Sequence, residues 1–200
     1  HMFDGDGMVH ALHLRDGRAR YRNRWVRTAA LEAEERAGRS LYGGLGEMHF
    51  PSRAEVGDAG ALKNPANTNI VRHAGRYLAL WEGGPPTEIT VSSDPVISVG
   101  VHDFGGKLKG AFTAHPRIDP RTGELFAFGY NPFAPHLRVF HVSPEGALVR
   151  SVDVDLPACA VMHDFVITEH HLVFVDSPLV FDLPGALEGR DPFFWDAGHG

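Results

Sequence analysis

The spacing of short apolar runs constrains the fold of this chain most, because turn residues interrupt these runs about every 8 to 12 residues. Such spacing is typical of the short strands of an all-β sandwich, barrel or propeller. Sets of strands that recur over about 40 to 50 residues favour propeller blades among these. The predicted strands cover residues 8–14, 19–26, 68–73, 77–81, 125–130, 137–142, 148–154, 165–168 and 172–176.

Glycine-containing pairs mark the turns between these runs. Each pair lies between two apolar runs, where glycine supplies the positive φ that tight hairpin turns need. The four pairs are Asp16-Gly17, Ala74-Gly75, Thr122-Gly123 and Glu145-Gly146.

Two segments depart from the strand pattern. Residues 29–37 (AALEAEERA) are strong helix formers, and Thr28 could cap their first turn, so a short surface helix is predicted there. Residues 42–65 carry several glycines and no periodicity, which predicts a long loop.

Composition narrows the class of protein. A chain of 200 residues with 43% hydrophobic content can bury one ordinary core. A net charge of -6 without basic runs argues against nucleic acid as a partner. The single cysteine, Cys159, excludes an internal disulfide framework and a thiolate zinc cluster. We expect a cytoplasmic protein, since no apolar stretch reaches the roughly 18 residues that span a bilayer.

The chain is expected to be one incomplete domain over residues 1–200, truncated at both ends. A dense motif begins at Phe3, and the aromatic cluster at the other end lacks packing partners in the sequence.

Thirteen histidines are a high count for this length, and imidazole suits iron, zinc, copper and nickel. His115 precedes Pro116, which favours extended backbone and a fixed side chain. His163 opens MHDFVIT, at the start of a predicted strand. The two lie far apart in sequence and match no compact zinc pattern, so a structural or surface role is the alternative for each.

Glu82 ends a predicted strand and precedes Gly83-Gly84-Pro85-Pro86. One interpretation is a solvated carboxylate in a sharp turn. The other is an acceptor that holds a metal-ligating imidazole in the right tautomer.

Several sequence blocks together resemble the carotenoid cleavage oxygenase family, which includes apocarotenoid oxygenases, the retinoid isomerase of vision and stilbene-cleaving dioxygenases. The blocks are FDGDGMVH (3–10), YRNRWVRT (21–28), NTNIV and LALWEGGPP (within 67–86), TAHPRIDPRTGELFAFGYN (113–131), and MHDFVIT and LVFVDSPLVF (within 162–181).

The resemblance implies part of a seven-bladed β-propeller, roughly the first half of its blades, with one Fe(II) held by four histidines. His115 and His163 match two of these ligands, and the other two are expected outside this chain. Glu82 would support His163. The implied reaction adds both atoms of dioxygen across a conjugated carbon–carbon double bond and gives two carbonyl products.

The resemblance also bears on the substrate. Stilbene-cleaving members carry a lysine where this chain has Trp81. An apolar polyene is therefore favoured, with Trp81 and Phe112 expected along the substrate tunnel. Stilbene cleavage, or a catalytically incomplete fragment that acts only as a binding module, are the alternatives. Peripheral contact with a membrane is left open.

Overall fold

The computed structural model describes residues 3–44, 47–91 and 96–199. The chain begins with an antiparallel hairpin of β1 (Met8–Arg15) and β2 (Arg18–Trp25). Its two-residue turn has positive φ at both Asp16 (51°) and Gly17 (73°), as a hairpin turn that follows the strand twist requires. The predicted hairpin is confirmed.

The predicted helix is confirmed as α1 (Ala29–Ala37). The Thr28 hydroxyl oxygen accepts a hydrogen bond from the backbone N–H of Leu31 at 3.2 Å and caps the first turn. Ala30 and Ala33 are buried against residues that follow the helix, so α1 has a packed face as well as a surface face.

The prediction of an irregular loop over residues 42–65 is wrong over residues 53–59, and the other described positions of this segment contain no helix or strand. Residues 53–59 form α2 (Arg53–Val56) and a 3-10 turn (Gly57–Ala59). The Glu55 carboxylate accepts a hydrogen bond from the backbone N–H of Ser52 at 3.0 Å, a contact typical of a capping box. Positions 45 and 46 of the predicted loop lie outside the described residues.

Two four-stranded antiparallel sheets follow, each with its strands adjacent in chain order. We call them the first and second blades. The first blade comprises β3 (Asn69–His73), β4 (Arg76–Leu80), β5 (Thr87–Val91) and β6 (Val96–Val101). The second blade comprises β7 (Arg117–Ile118), β8 (Leu125–Tyr130), β9 (Leu137–Val142) and β10 (Leu148–Val154). The predictions located β3, β4 and β8 to β10, and missed β5, β6 and β7.

A continuous apolar core joins the two blades. Leu80 of β4 and Leu125 of β8 are fully buried in it, and Phe112, from the connection between the blades, lies fully buried beside Phe140. The rings of Phe112 and Phe140 are stacked with centroids 5.8 Å apart. Each such side chain contributes about 1.5–3 kcal/mol through burial, which fixes the blades against each other.

The remainder of the chain forms two short hairpins. Phe165, just before the first of them, is buried against Phe128 of the second blade, which continues the stacking of sheets. No helix in the described ranges is long and apolar enough to cross a membrane. The elements are β11 (Val166–Ile167) paired with β12 (Leu172–Val173), and β13 (Leu179–Phe181) paired with β14 (Phe193–Trp195), with α3 (Leu183–Leu187) between the last two.

Candidate metal centre

His115 lies between the two blades, just before β7, and its backbone is held on both sides. Its N–H donates to the hydroxyl oxygen of Thr113 at 3.0 Å. The carbonyl of Ala114 accepts a hydrogen bond from the Asn69 side-chain amide at 2.9 Å. Thr113 is itself buried, and its N–H donates to the Phe128 carbonyl. The imidazole therefore projects from a fixed segment.

His163 lies just before β11 in a segment anchored by its neighbours. Met162 and Phe165 on either side of it are buried, and the N–H of Val161 donates to the Leu179 carbonyl at 2.8 Å. The His163 side chain is 60% exposed, so its ring stands out from the packed segment.

The two imidazoles converge. Their Nε2 atoms lie 2.9 Å apart and their ring centroids 4.5 Å apart. Imidazole nitrogens bind metals at about 2.0–2.1 Å, so two such ligands at right angles on one ion would lie about 3.0 Å apart. The donor atoms of His115 and His163 thus fit a shared metal ion, as the sequence interpretation requires.

Glu82 supplies the group behind His163. Its Oε2 lies 2.6 Å from His163 Nδ1, the ring nitrogen that does not face His115. A carboxylate there accepts the Nδ1–H and leaves the Nε2 lone pair free for a metal, which fixes the tautomer and raises the basicity of the ligand. The turn between β4 and β5 therefore brings the Glu82 carboxylate onto the His163 ring.

Tyr130 extends this arrangement, and sequence reasoning missed it. Its hydroxyl, at the end of β8, donates to Glu82 Oε1 at 2.8 Å. Burial, followed by the charge of Glu82, raises the pKa of Tyr130, so the phenol stays protonated and always donates. No local pattern links a tyrosine at one strand end with a glutamate in another sheet, and only the position of Tyr130 at a strand end could have suggested a role.

Other histidines have other roles. His73 is buried, and its Nε2 donates to the Gly123 carbonyl at 2.9 Å, which is a satisfied structural contact. His10 and His13 are exposed on β1. Within residues 3–44, 47–91 and 96–199, no group of three or more histidine, cysteine or acidic side chains is placed to hold a metal ion.

The two predicted tunnel residues occupy different places. Trp81 lines a cavity of about 1000 Å³ together with Trp25, Leu62 and Val99, and neither imidazole lines that cavity. Phe112 is fully buried in the core between the blades and does not line the cavity. Its ring contacts the rings of Phe104 and Phe140, with centroids 5.6 and 5.8 Å away.

Comparisons with known proteins agree with this architecture. A family model described as RPE65, retinal pigment epithelial membrane protein, matches residues 1–200. Carotenoid 9,10(9',10')-cleavage dioxygenase 1 of Phaseolus vulgaris is 37% identical over 194 residues, which cover 90% of this chain and 36% of that protein.

Solved structures give the same result. The lignostilbene dioxygenase of Pseudomonas brassicacearum superposes with a TM-score of 0.84 and 35% identity, over 96% of this chain and 40% of that one. A variant of the Synechocystis apocarotenoid oxygenase gives a TM-score of 0.79 and 31% identity, over 98% of this chain and 43% of that one. The chain thus spans well under half the length of these relatives.

The stacked blades and the convergent imidazole pair define the chain as part of a β-propeller with a candidate histidine metal centre. The match over its full length makes the assignment specific: this chain belongs to the RPE65/carotenoid cleavage oxygenase family.

Proposed function

We propose that the protein is a non-haem Fe(II) dioxygenase that cleaves a conjugated carbon–carbon double bond of a carotenoid or apocarotenoid to give two carbonyl products. The observation that carries the proposal is the 2.9 Å approach of His115 Nε2 to His163 Nε2, with Glu82 behind the second ring. The names of the relatives support oxygenase chemistry on such substrates.

In this proposal His115 and His163 hold a ferrous ion through their Nε2 atoms, and further ligands come from parts of the whole protein outside this chain. The ion, when bound, supplies the site at which dioxygen reacts with the substrate. Glu82 keeps the His163 proton on Nδ1, and Tyr130 fixes the carboxylate that does so. The protein's contribution is thus to hold neutral imidazoles in a fixed, electron-rich arrangement.

An apolar polyene is the substrate class we favour. Trp81, next to Glu82 in sequence, offers an indole surface rather than a charge, which suits an extended apolar molecule. Cleavage of a stilbene is the second candidate, because the lignostilbene dioxygenase gives the higher TM-score of the two solved structures described above.

The test uses the full-length protein, loaded with Fe(II) under anaerobic conditions and then given ¹⁸O₂. Incubation with an apocarotenal is expected to give two labelled carbonyl products, and a hydroxylated stilbene is expected to react slowly. Preferential turnover of the stilbene would favour the second candidate. An iron-loaded protein that cleaves neither substrate would contradict the proposal.

A second experiment tests the alternative that the protein is a binding module without catalytic activity. The 200-residue chain alone, purified beside the full-length protein, is assayed for bound iron and for cleavage of the same apocarotenal. We expect the longer protein to retain stoichiometric iron and the shorter chain to retain little. An active full-length protein excludes the binding-module interpretation for the whole protein.

A further inference from the structure

Arg117 connects the segments that carry the two candidate ligands. It lies on β7, two residues after His115. Its Nε donates to the Phe165 carbonyl at 3.0 Å, and its Nη2 donates to Asp164 Oδ2 at 2.5 Å. Both acceptors follow His163 directly in the chain. One side chain from the His115 segment therefore donates hydrogen bonds to two adjacent residues of the His163 segment.

The two residues that accept these hydrogen bonds, Asp164 and Phe165, are themselves held in place. Phe165 is buried, and its ring stacks on Phe174 with centroids 5.3 Å apart. Asp164 Oδ1 accepts a hydrogen bond from the Phe165 N–H at 2.8 Å, which orients the carboxylate toward the arginine. In the part of the chain that the structure describes, Arg117 makes all the hydrogen bonds between residues 113–118 and 161–167, apart from the contact of the imidazoles themselves.

We propose that Arg117 is a positioning residue that sets the separation of His115 and His163, an inference that rests on the proposed metal-binding function. A guanidinium is planar and presents its donors in a rigid fork, so one contact fixes the direction of the other. A lysine ammonium could reach one acceptor but would not impose the same geometry. Ligand sets lose affinity when such supporting contacts are removed, because the donors then sample other positions.

The direction in which metal affinity changes when Arg117 is replaced distinguishes a positioning role from a purely electrostatic one. Arg117 is a cation close to a site for another cation. Coulomb's law alone predicts that replacing it with a neutral residue strengthens metal binding. The positioning role predicts the opposite, that metal binding becomes weaker.

The experiment is a Co(II) titration of the full-length protein stripped of metal, followed by absorption spectroscopy. For Arg117→Gln we expect affinity to fall on the order of 10-fold, with a changed Co(II) spectrum. Arg117→Lys should lose less. Arg121→Gln is the matched control, because Arg121 lies near Glu169, with Nη1 and Oε1 3.6 Å apart, and also links the second blade to the hairpin that follows it. We expect Arg121→Gln to bind Co(II) like the wild type.

A second variant makes the result independent of any loss of folding in the first. Asp164→Asn removes the acceptor of one of the two hydrogen bonds, and any further loss that it causes in the Arg117→Gln background measures the Coulombic contribution of the Asp164 charge rather than positioning. Thermal unfolding of the metal-free proteins identifies variants that do not fold, and Arg117→Lys, which keeps the positive charge but not the fork geometry, then carries the test.

Unchanged or tighter Co(II) binding by the folded Arg117 variants, or an equal loss in Arg121→Gln, overturns the inference. His115→Ala and His163→Ala are titrated in the same series. If these two variants bind Co(II) like the wild type, the proposed function itself fails. If they lose Co(II) while the Arg117 variants keep it, only the positioning role fails.

Discussion

His115 and His163 meet at their Nε2 atoms, but the chain fixes the first through its backbone and the second through its ring. The His115 segment is held by Thr113 and Asn69, which bond to main-chain groups. The His163 ring is held by Glu82 at Nδ1. Among the described residues, no hydrogen bond to Nδ1 of His115 is formed.

A histidine that binds a metal must be held in position and must carry its proton on the nitrogen that does not bind the metal. The two histidines differ in which of these requirements the described residues meet. Backbone contacts decide where a ring can be, whereas a carboxylate at Nδ1 also decides which nitrogen carries the proton. Substitutions of Glu82 or Tyr130 should therefore change metal affinity through the electronic state of the His163 ring. Variants of Thr113 and Asn69 act on the backbone of the His115 segment, so their effects on metal affinity should be smaller.

The largest expected effect comes from removing either ring. In the full-length protein, His115→Ala and His163→Ala should each abolish stoichiometric iron binding and cleavage of an apocarotenal, because the two Nε2 atoms share one site. Metal analysis of the purified variants, with product analysis of the same samples, measures both losses. If either variant keeps full iron and full activity, that histidine is not a ligand.

Glu82→Ala should weaken metal affinity by roughly 10 to 100-fold, the range typical of contacts that support a ligand. The loss follows because His163 Nδ1 no longer has a carboxylate to fix its proton. Titration of the metal-free full-length protein with Co(II) measures it. Glu124→Ala is the control, since Glu124 Oε1 also contacts a histidine, His141 Nε2 at 2.8 Å, away from the pair. Equal losses in both variants would show that the effect is not specific to His163.

Tyr130→Phe should weaken Co(II) binding by about 10-fold, because a hydrogen bond to a charged group contributes about 1.5–3 kcal/mol, and only part of that acts on the metal. The substitution removes the hydroxyl and keeps the ring. Tyr42→Phe is the control, since its hydroxyl donates to the Gly60 carbonyl far from the site.

A double variant tests whether Tyr130 acts on the metal site through Glu82. In a Glu82→Ala background, Tyr130→Phe should have no further effect on Co(II) affinity, since the phenol then has no carboxylate to hold. Additive losses would mean that Tyr130 acts by another route.

Local patterns predicted much of the fold. The turn pairs and the runs that form β3, β4, β8, β9 and β10 are all visible in sequence, and the all-β fold is confirmed. The strands β5 and β6 were missed although Val, Ile and Thr dominate both segments, a composition that favours strands. The strand β7 has only two residues and is too short to show any periodicity, whereas the runs at 165–168 and 172–176 did predict β11 and β12.

The candidate site was predictable only in part, because its contacts join separate sheets. The family motifs marked His115, His163 and Glu82, and the structure brings these three together. The bonds from Tyr130 to Glu82 and from Arg117 to Asp164 depend on how neighbouring sheets stack. No spacing within one segment encodes such pairs.

The smallest expected effect concerns Asn69, on the side of the site held by backbone. Asn69→Ala removes the bond from its amide to the Ala114 carbonyl, worth about 1 kcal/mol, which corresponds to at most about a fivefold loss of Co(II) affinity. Asn67→Ala is the control, since the Asn67 amide bonds to the Phe3 and Gly5 carbonyls instead. A loss as large as that of Glu82→Ala would break the distinction between the two sides, because it would mean that fixing the His115 backbone matters as much as fixing the proton on His163.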